Sequence, residues 1–304
     1  MSQRLAWKVS LHGGHSSQFC DHASSTLDEM LRAAAAFGYA AFGVSEHAPR
    51  SENRFLYPEE RSLGWDATKL ASDFEAFTVA INAAASTHRD GMEVLRGFEA
   101  EVVPSAGYAP IMNRLRRSRL SDGNPAFDYM VGSVHHVGEL QIDGPAADFM
   151  AAIEATGGPE ALAIAYYAQV AEMLDTLKPD VAAHLDLIRK RGEPMFPDTN
   201  WRSPRIRAAA ERALEAVLSC GAIIDVNTAG WRKGLDTPYP EPWLVHRAAA
   251  MGCVFCFGDD SHCAADVGAG VERARHYLLG CGVTTITTLR RAGSGTERAA
   301  ASLV

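Results

Sequence analysis

One regularity constrains the fold of this 304-residue chain more than any other: short apolar runs alternate with helical patterns, and nearly every run ends on a side chain able to bind a metal. Residues 5–11 run into His12, 40–45 into Glu46-His47, 93–98 into Glu99, and 129–134 into His135-His136. Residues 181–183 end at His184, 222–226 at Asn227, and 254–257 at Gly258-Asp259-Asp260-Ser261-His262. The alternation implies parallel strands wound as βα units. In a βα barrel the carboxyl ends of the strands share one face, and that face carries the site.

The segments between the runs read as helices. Thr26-Leu27-Asp28-Glu29 is a capping-box pattern opening a helix that Gly38 stops. Helical patterns also cover 66–88, 159–177, 204–219, 242–251 and 266–279, and 283–289 is a candidate final strand. No linker divides the chain: 1–292 reads as one domain and 293–304 as a loose tail. No Gly-x-Gly-x-x-Gly follows a strand and no P-loop is present, so the nucleotide-binding α/β folds lose their usual marker.

Bulk properties exclude several roles. A hydrophobic content of 47% supports a large core. A formal charge of −8, with basic residues scattered, gives nucleic-acid binding no support. No apolar run reaches the length of a bilayer span, and the first residues have no signal-peptide core, so cytoplasm is the expected location. Cys253 and Cys256 resemble half a zinc site but have no second pair at ribbon spacing. They are expected to be core thiols.

The donors gather in pattern. His12, His15 and His22 lie within eleven residues, around the chain-breaking Gly13-Gly14. With His47, Glu99, His135, His184, Asp260 and His262 they form a set of nitrogen and oxygen ligands suited to zinc, manganese or iron. One four-coordinate ion takes about three or four protein ligands, so the set implies two or three divalent ions. Such sites activate water and clamp phosphoryl oxygens, which makes phosphate-ester hydrolysis the indicated reaction. His136 and Asp259 adjoin stronger candidates and should face the other way. His88, His246 and His276 fall on helices. Glu101 could share a face with Glu99, although an outer or solvent role is expected. The set is too large for a closed structural site, which argues against a non-catalytic metal-binding module.

The ordered motifs Phe19-Cys20-Asp21-His22, Glu46-His47-Ala48-Pro49, Gly97-Phe98-Glu99, Gly132-Ser133-Val134-His135 and the segment from His184 to Lys190 carry a resemblance. So do the segment from Asn227 to Gly234, Pro238-Tyr239-Pro240 and the segment from Gly258 to His262. Together the sequence resembles the PHP (polymerase and histidinol phosphatase) superfamily, and within it the monofunctional histidinol-phosphate phosphatases. TIM-type amide and ring hydrolases match less well, since their bridging lysine has no counterpart at a strand end. The resemblance implies a distorted TIM-like (β/α)7 barrel with a trinuclear centre. One ion would take His12, His15, Glu99 and Asp260. A second would take His22, His47 and His262, and a third His135, His184 and a bridging Glu99. A metal-bound hydroxide would attack phosphorus without a phospho-enzyme. The family's opening His-x-His is here His12-Gly13-Gly14-His15, a spacing that points the rings apart in a regular strand, so a bulge at the glycines is expected.

For the substrate, Arg189 is the first candidate phosphate ligand, followed by Arg232 and Lys233. The resemblance implies L-histidinol phosphate, with another small phosphate ester or nucleotide as the alternative. Glu46, Asp186 and Asn227 are candidates for the amine end, and Asp186 could instead orient His184. Asp260 or a site histidine such as His262 would protonate the leaving group.

Overall fold

The computed structural model describes residues 6–87, 91–103, 107–293 and 295–304; His88 lies outside them. The strands, in chain order, are β1 (Val9–Ser10), β2 (His12–Gly14), β3 (Ala41–His47), β4 (Glu93–Glu101), β5 (Val131–Ser133), β6 (His136–Val137), β7 (Leu140–Gln141), β8 (Val181–Ala182), β9 (Ile223–Asn227), β10 (Phe255–Ser261), β11 (Thr285–Ala292) and β12 (Gly295–Ser302). The main sheet runs β1-β3-β4-β5-β8-β9-β10-β2, with every neighbour pair parallel. β1 and β2 are halves of one pass through the sheet, parted by Leu11. The first half pairs with β3 and the second with β10, so one broken stave closes the ring. Counted that way the barrel has seven staves, as expected.

Two-residue alternation decides which side chains fill it. Val9, Leu11, Ala41, Leu95, Val131, Val181, Ile223 and Cys256 pack inside. Phe42, Val44, Val94, Phe98, Ile224, Val226, Phe255 and Phe257 face the helices. The alternation fails between Leu11 and His12, where both side chains point inward, and there the first stave breaks. Tyr129 is the largest interior side chain, and Gly43 and Gly97 make room for it. A Cβ on Gly43 would lie 2.1 Å from the Tyr129 hydroxyl, and one on Gly97 would lie 2.5 Å from its ring.

Local signals behave as read. The helix Leu27–Phe37 opens on a complete Thr26–Glu29 capping box and closes on Gly38 at φ 92. Cys253 and Cys256 are buried on opposite sides of the barrel wall, and both are free thiols. No described helix is long and apolar enough to cross a membrane.

The C-terminus differs from expectation. Residues 295–302 are not a loose tail but β12, antiparallel to β11. Leu289 of this hairpin joins the barrel's interior cluster, and Arg291 donates to the carbonyl of Val94 at 2.6 Å. The sequence of β12, GTERAAAS, buries only Ala301, so it has no alternation to read.

Gly97→Ala should cost about 1–3 kcal/mol of stability by forcing the Tyr129 ring off its packing. Urea unfolding checks this; a variant as stable as the parent would mean the interior is not close-packed there.

Candidate metal centre

The carboxyl ends of the staves converge on Glu99. Its Oε2 lies 3.4 Å from His12 Nε2, 3.6 Å from His15 Nε2 and 3.3 Å from His47 Nδ1. Its Oε1 lies 3.7 Å from His135 Nε2 and 3.4 Å from His184 Nε2. One carboxylate thus addresses two separate sets of imidazoles. β3 and β4 pair His47 with Glu99 directly, which sets that contact.

The two glycines bring both opening histidines to the same place. Gly14 turns at φ 115 and runs so close to β10 that a Cβ would sit 2.0 Å from the Ser261 carbonyl. The register slips there, from His12 opposite Gly258 to Gly14 opposite Ser261, so β10 carries one extra residue. Asp260, within that bulge, adopts φ 49, and its Oδ1 lies 4.0 Å from His12 Nε2 and 3.7 Å from His15 Nε2. His184 is also left-handed, at φ 25. Such backbone costs about 1–3 kcal/mol per residue and collects at functional sites.

Outer carboxylates and carbonyls aim the rings. Asp225 Oδ2 lies 2.9 Å from His12 Nδ1, and Glu46 Oε1 lies 3.0 Å from His15 Nδ1. Asp21 Oδ1 lies 3.3 Å from His22 Nδ1, and the Asp260 carbonyl lies 3.0 Å from His262 Nδ1. Each contact uses one ring nitrogen and leaves the other for a metal. Gly258 makes this possible for His12, because a Cβ there would meet Asp225 at 2.1 Å.

The donor set fits divalent cations. Compact groups form from His12, His15 and Asp260; His15, His22 and His47; Glu99, His135 and His184; and His47, Glu101 and His135. In each, the donor atoms lie within 4.8 Å of one another. His262 joins through ring contacts of 5.0 Å with His15 and His22. His12 Nε2, His22 Nε2, His47 Nδ1 and Glu99 Oε1 are buried without a hydrogen-bond partner. His47 Nδ1 even approaches Glu101 Oε1 at 2.6 Å without hydrogen-bond alignment. Orphaned lone pairs facing one another are what cations would satisfy.

Electrostatics agree. Burial opposes charge on Glu99, but His12 and His47 outweigh it and hold its carboxyl well below the usual range. Burial likewise opposes charge on Asp260, and His12 and His15 hold it well below the usual range. For His15, burial is overcome by Asp260 and Glu46, which raise it to about 10. His135 is raised to about 9, chiefly by Asp143 and Glu101 against burial. Burial pushes His262 well below its ordinary value, against the pull of Asp260.

Several expected roles change. Arg189 does not reach the cavity. It is buried and binds Asp186 Oδ2 at 3.0 Å, Glu193 Oε1 at 2.9 Å and Thr237 Oγ1 at 2.9 Å. The next residue, Lys190, lines the cavity instead, 3.2 Å from Asp143. Asn227 is fully buried and donates to Asp225 and Asp260, so it positions carboxylates rather than meeting substrate. Asp186 neither orients His184 nor faces substrate; it accepts from Arg189 and from the Glu241 N–H. Glu46 is committed to His15 and the Ser16 N–H. Glu101 is buried among the ligands, held by Arg50 and Tyr57. Asp225 and Glu101 had one readable signal, their two-residue offset from Asn227 and Glu99 on the same face. Arg232 and Lys233 do line the cavity. His136 turns away toward Phe55.

The cavity above the ligands holds ≈ 530 Å³ and mixes the metal-type donors with Lys190, Arg232, Lys233, Gln141, Asp143 and Tyr239. Residues 12–229 match the PHP domain family.

The chain belongs to the PHP domain family. It is 31% identical over 288 residues to a Schizosaccharomyces pombe protein named "Probable histidinol-phosphatase", covering 94% of this chain and 91% of that one. It is 27% identical over 297 residues to the Saccharomyces cerevisiae histidinol-phosphatase, covering 88% and 87%. A HisK structure from Listeria monocytogenes superposes with a TM-score of 0.75 at 25% identity, covering 88% of this chain and 99% of that one. A Lactococcus lactis histidinol phosphate phosphatase, solved with zinc, L-histidinol and phosphate, shares the fold at a TM-score of 0.65 and 17% identity, covering 96% and 99%. The PHP barrel, with His-Gly-Gly-His at its opening, keeps the candidate ligands of that strand together through the β10 bulge.

Asp225→Asn should weaken metal binding by about 10- to 100-fold, because His12 loses the carboxylate that fixes its ring. Titration with a competing chelator checks this; unchanged affinity would show that His12 is not a ligand.

Proposed function

We infer that this PHP protein is a metal-dependent phosphoric monoester hydrolase that converts L-histidinol phosphate to L-histidinol and phosphate, a step of histidine biosynthesis. The single observation that carries the chemistry is Glu99, each of whose oxygens faces a different group of imidazoles. That arrangement favours two or three ions from the zinc, manganese and iron class, with Glu99 between them. Such ions supply water of lowered pKa and a clamp for phosphoryl oxygens.

The chain's own groups do the remainder. His12, His15, Glu99 and Asp260 would hold one ion. His15 also lies within reach of His22, His47 and His262, which would hold a second, and His135 and His184 would hold a third beside Glu99. Glu101, between His47 and His135, is a further ligand or a hydrogen-bond acceptor for them. Lys190, Arg232 and Lys233 give the mouth positive charge for the phosphate. Lys233 has no ion-pair partner among the described residues, whereas Arg232 is tied to the Asp259 and Asp260 carbonyls. Asp143, held ionised against burial by Lys190, is the cavity carboxylate suited to the substrate's ammonium group. The substrate is small and phosphorylated, and the expected place of action is the cytoplasm.

Two outcomes are expected. Chelation should abolish hydrolysis and added zinc, manganese or iron should restore it. Glu99→Gln should lose at least about 100-fold in kcat, since it removes charge from two ion positions at once. Steady-state assays on histidinol phosphate, p-nitrophenyl phosphate, glycerol phosphate and a nucleoside monophosphate test the substrate. A kcat/KM for histidinol phosphate no higher than for the others would favour a generic phosphoesterase.

A further inference from the structure

Pro238-Tyr239-Pro240 has no part in the ligand set, yet the fold spends several buried contacts on holding it. Asn227 and Tyr239 exchange backbone hydrogen bonds of 2.8 and 3.1 Å, which tie the loop to the end of β9. Arg189 donates to the Thr237 hydroxyl at 2.9 Å and to the Pro238 carbonyl at 3.4 Å. Asp186 accepts from Arg189 and, on the far side of the loop, from the Glu241 N–H at 2.8 Å. The Arg189–Asp186 pair therefore grips the loop before and after Tyr239.

What the grip presents is a tyrosine whose hydroxyl has no partner. Tyr239 is 1% exposed, lines the cavity, and packs its ring edge-on to His184 at 6.2 Å. Its Oη is buried and makes no hydrogen bond. Among the described cavity-lining residues with such an orphaned atom, the others are His22, His47, Glu99, His135 and His184, all candidate ligands. A buried hydroxyl without a partner costs about 1–3 kcal/mol. Tyr129 also has an orphaned hydroxyl, but it lies in the barrel interior, away from the cavity. A neutral phenol donates one hydrogen bond, and the acceptor-rich ligand of this cavity is a phosphoryl group.

We propose that Tyr239 is a substrate-contacting residue that donates its hydroxyl to a phosphoryl oxygen of the bound ester, and that Arg189 and Asp186 are positioning residues that hold its loop. The arrangement gives Arg189 a role in the site without contact with phosphate. It places an uncharged donor at the His184 side of the cavity, where the cationic groups at the mouth are not its hydrogen-bond partners. This rests on the phosphatase reading, and the two fail separately.

The test uses metal-loaded protein and inorganic phosphate as the probe. Tyr239→Phe removes one oxygen and keeps the ring. It should raise the inhibition constant of phosphate and lower kcat/KM for histidinol phosphate by about 10- to 100-fold, as for a lost hydrogen bond to a charged group. Metal content should stay at the parent value, and the melting temperature should not fall. Tyr239→Leu, which also removes the ring, should show at least the same loss of phosphate affinity. Parent-like phosphate inhibition and kcat/KM in Tyr239→Phe would overturn the proposal, as would a loss confined to Tyr239→Leu, which would mean packing only. A fall in metal content in Tyr239→Phe would overturn it too, by making the hydroxyl part of the metal centre. If the parent protein hydrolyses no phosphate ester, the phosphatase reading itself has failed.

Discussion

The structure depends on a carboxylate buried where carboxylates are unstable unless paired. Glu99 is 1% exposed, deep in a protein interior, and charge there is expensive without compensation. Compensation would come from cations held between it and imidazoles delivered by staves far apart in sequence. His12, His15, His47, His135 and His184 all reach its two oxygens. Remove the barrel and no local stretch could assemble that environment. Remove the carboxylate and five rings would face one another with unsatisfied nitrogens. Site and fold are therefore mutually dependent at this residue.

Around that centre the barrel works as a set of rigid, staggered supports. Interior positions change character along these staves, from apolar at the bottom to polar or ionisable at the top. In β9 the order is Ile223, Asp225, Asn227, and in β4 it is Leu95, Gly97, Glu99, Glu101. The layer below the rings is thus built from the same strands as the rings themselves, and Asp225 aims His12 from directly beneath it. Small residues are as necessary as the ligands. Gly258 vacates the space that Asp225 fills, and Gly14 lets β2 touch the bulged end of β10.

Much of this was legible in the chain. Strand ends marked by His, Glu and Asp located the face of the barrel and nearly all of its ring nitrogens, because side-chain chemistry at a strand end is a local signal. The irregularity expected at Gly13-Gly14 appears as a turn at Gly14, φ 115, while the extra residue of the bulge lies in the facing strand β10. What escaped reading was partnership. Arg189 looked like a phosphate ligand, but a buried guanidinium between Asp186, Glu193 and Thr237 has no freedom left for one. Its neighbour Lys190 faces the cavity, and nothing local in the segment told the two apart. Glu46 and Asn227 were likewise taken up by neighbours more than 30 residues away, as their contacts with His15 and Asp260 show. The terminal hairpin was missed because its last strand is alanine-rich and mostly exposed, with no period-two signal.

Anomalous diffraction from crystals of the metal-loaded protein, collected at the absorption edge of the bound metal, shows whether Glu99 joins two ions. Separate peaks on either side of Glu99, one about 2.0–2.2 Å from each carboxylate oxygen, are expected. A single peak remote from Glu99, or occupied positions that touch neither of its oxygens, would contradict that.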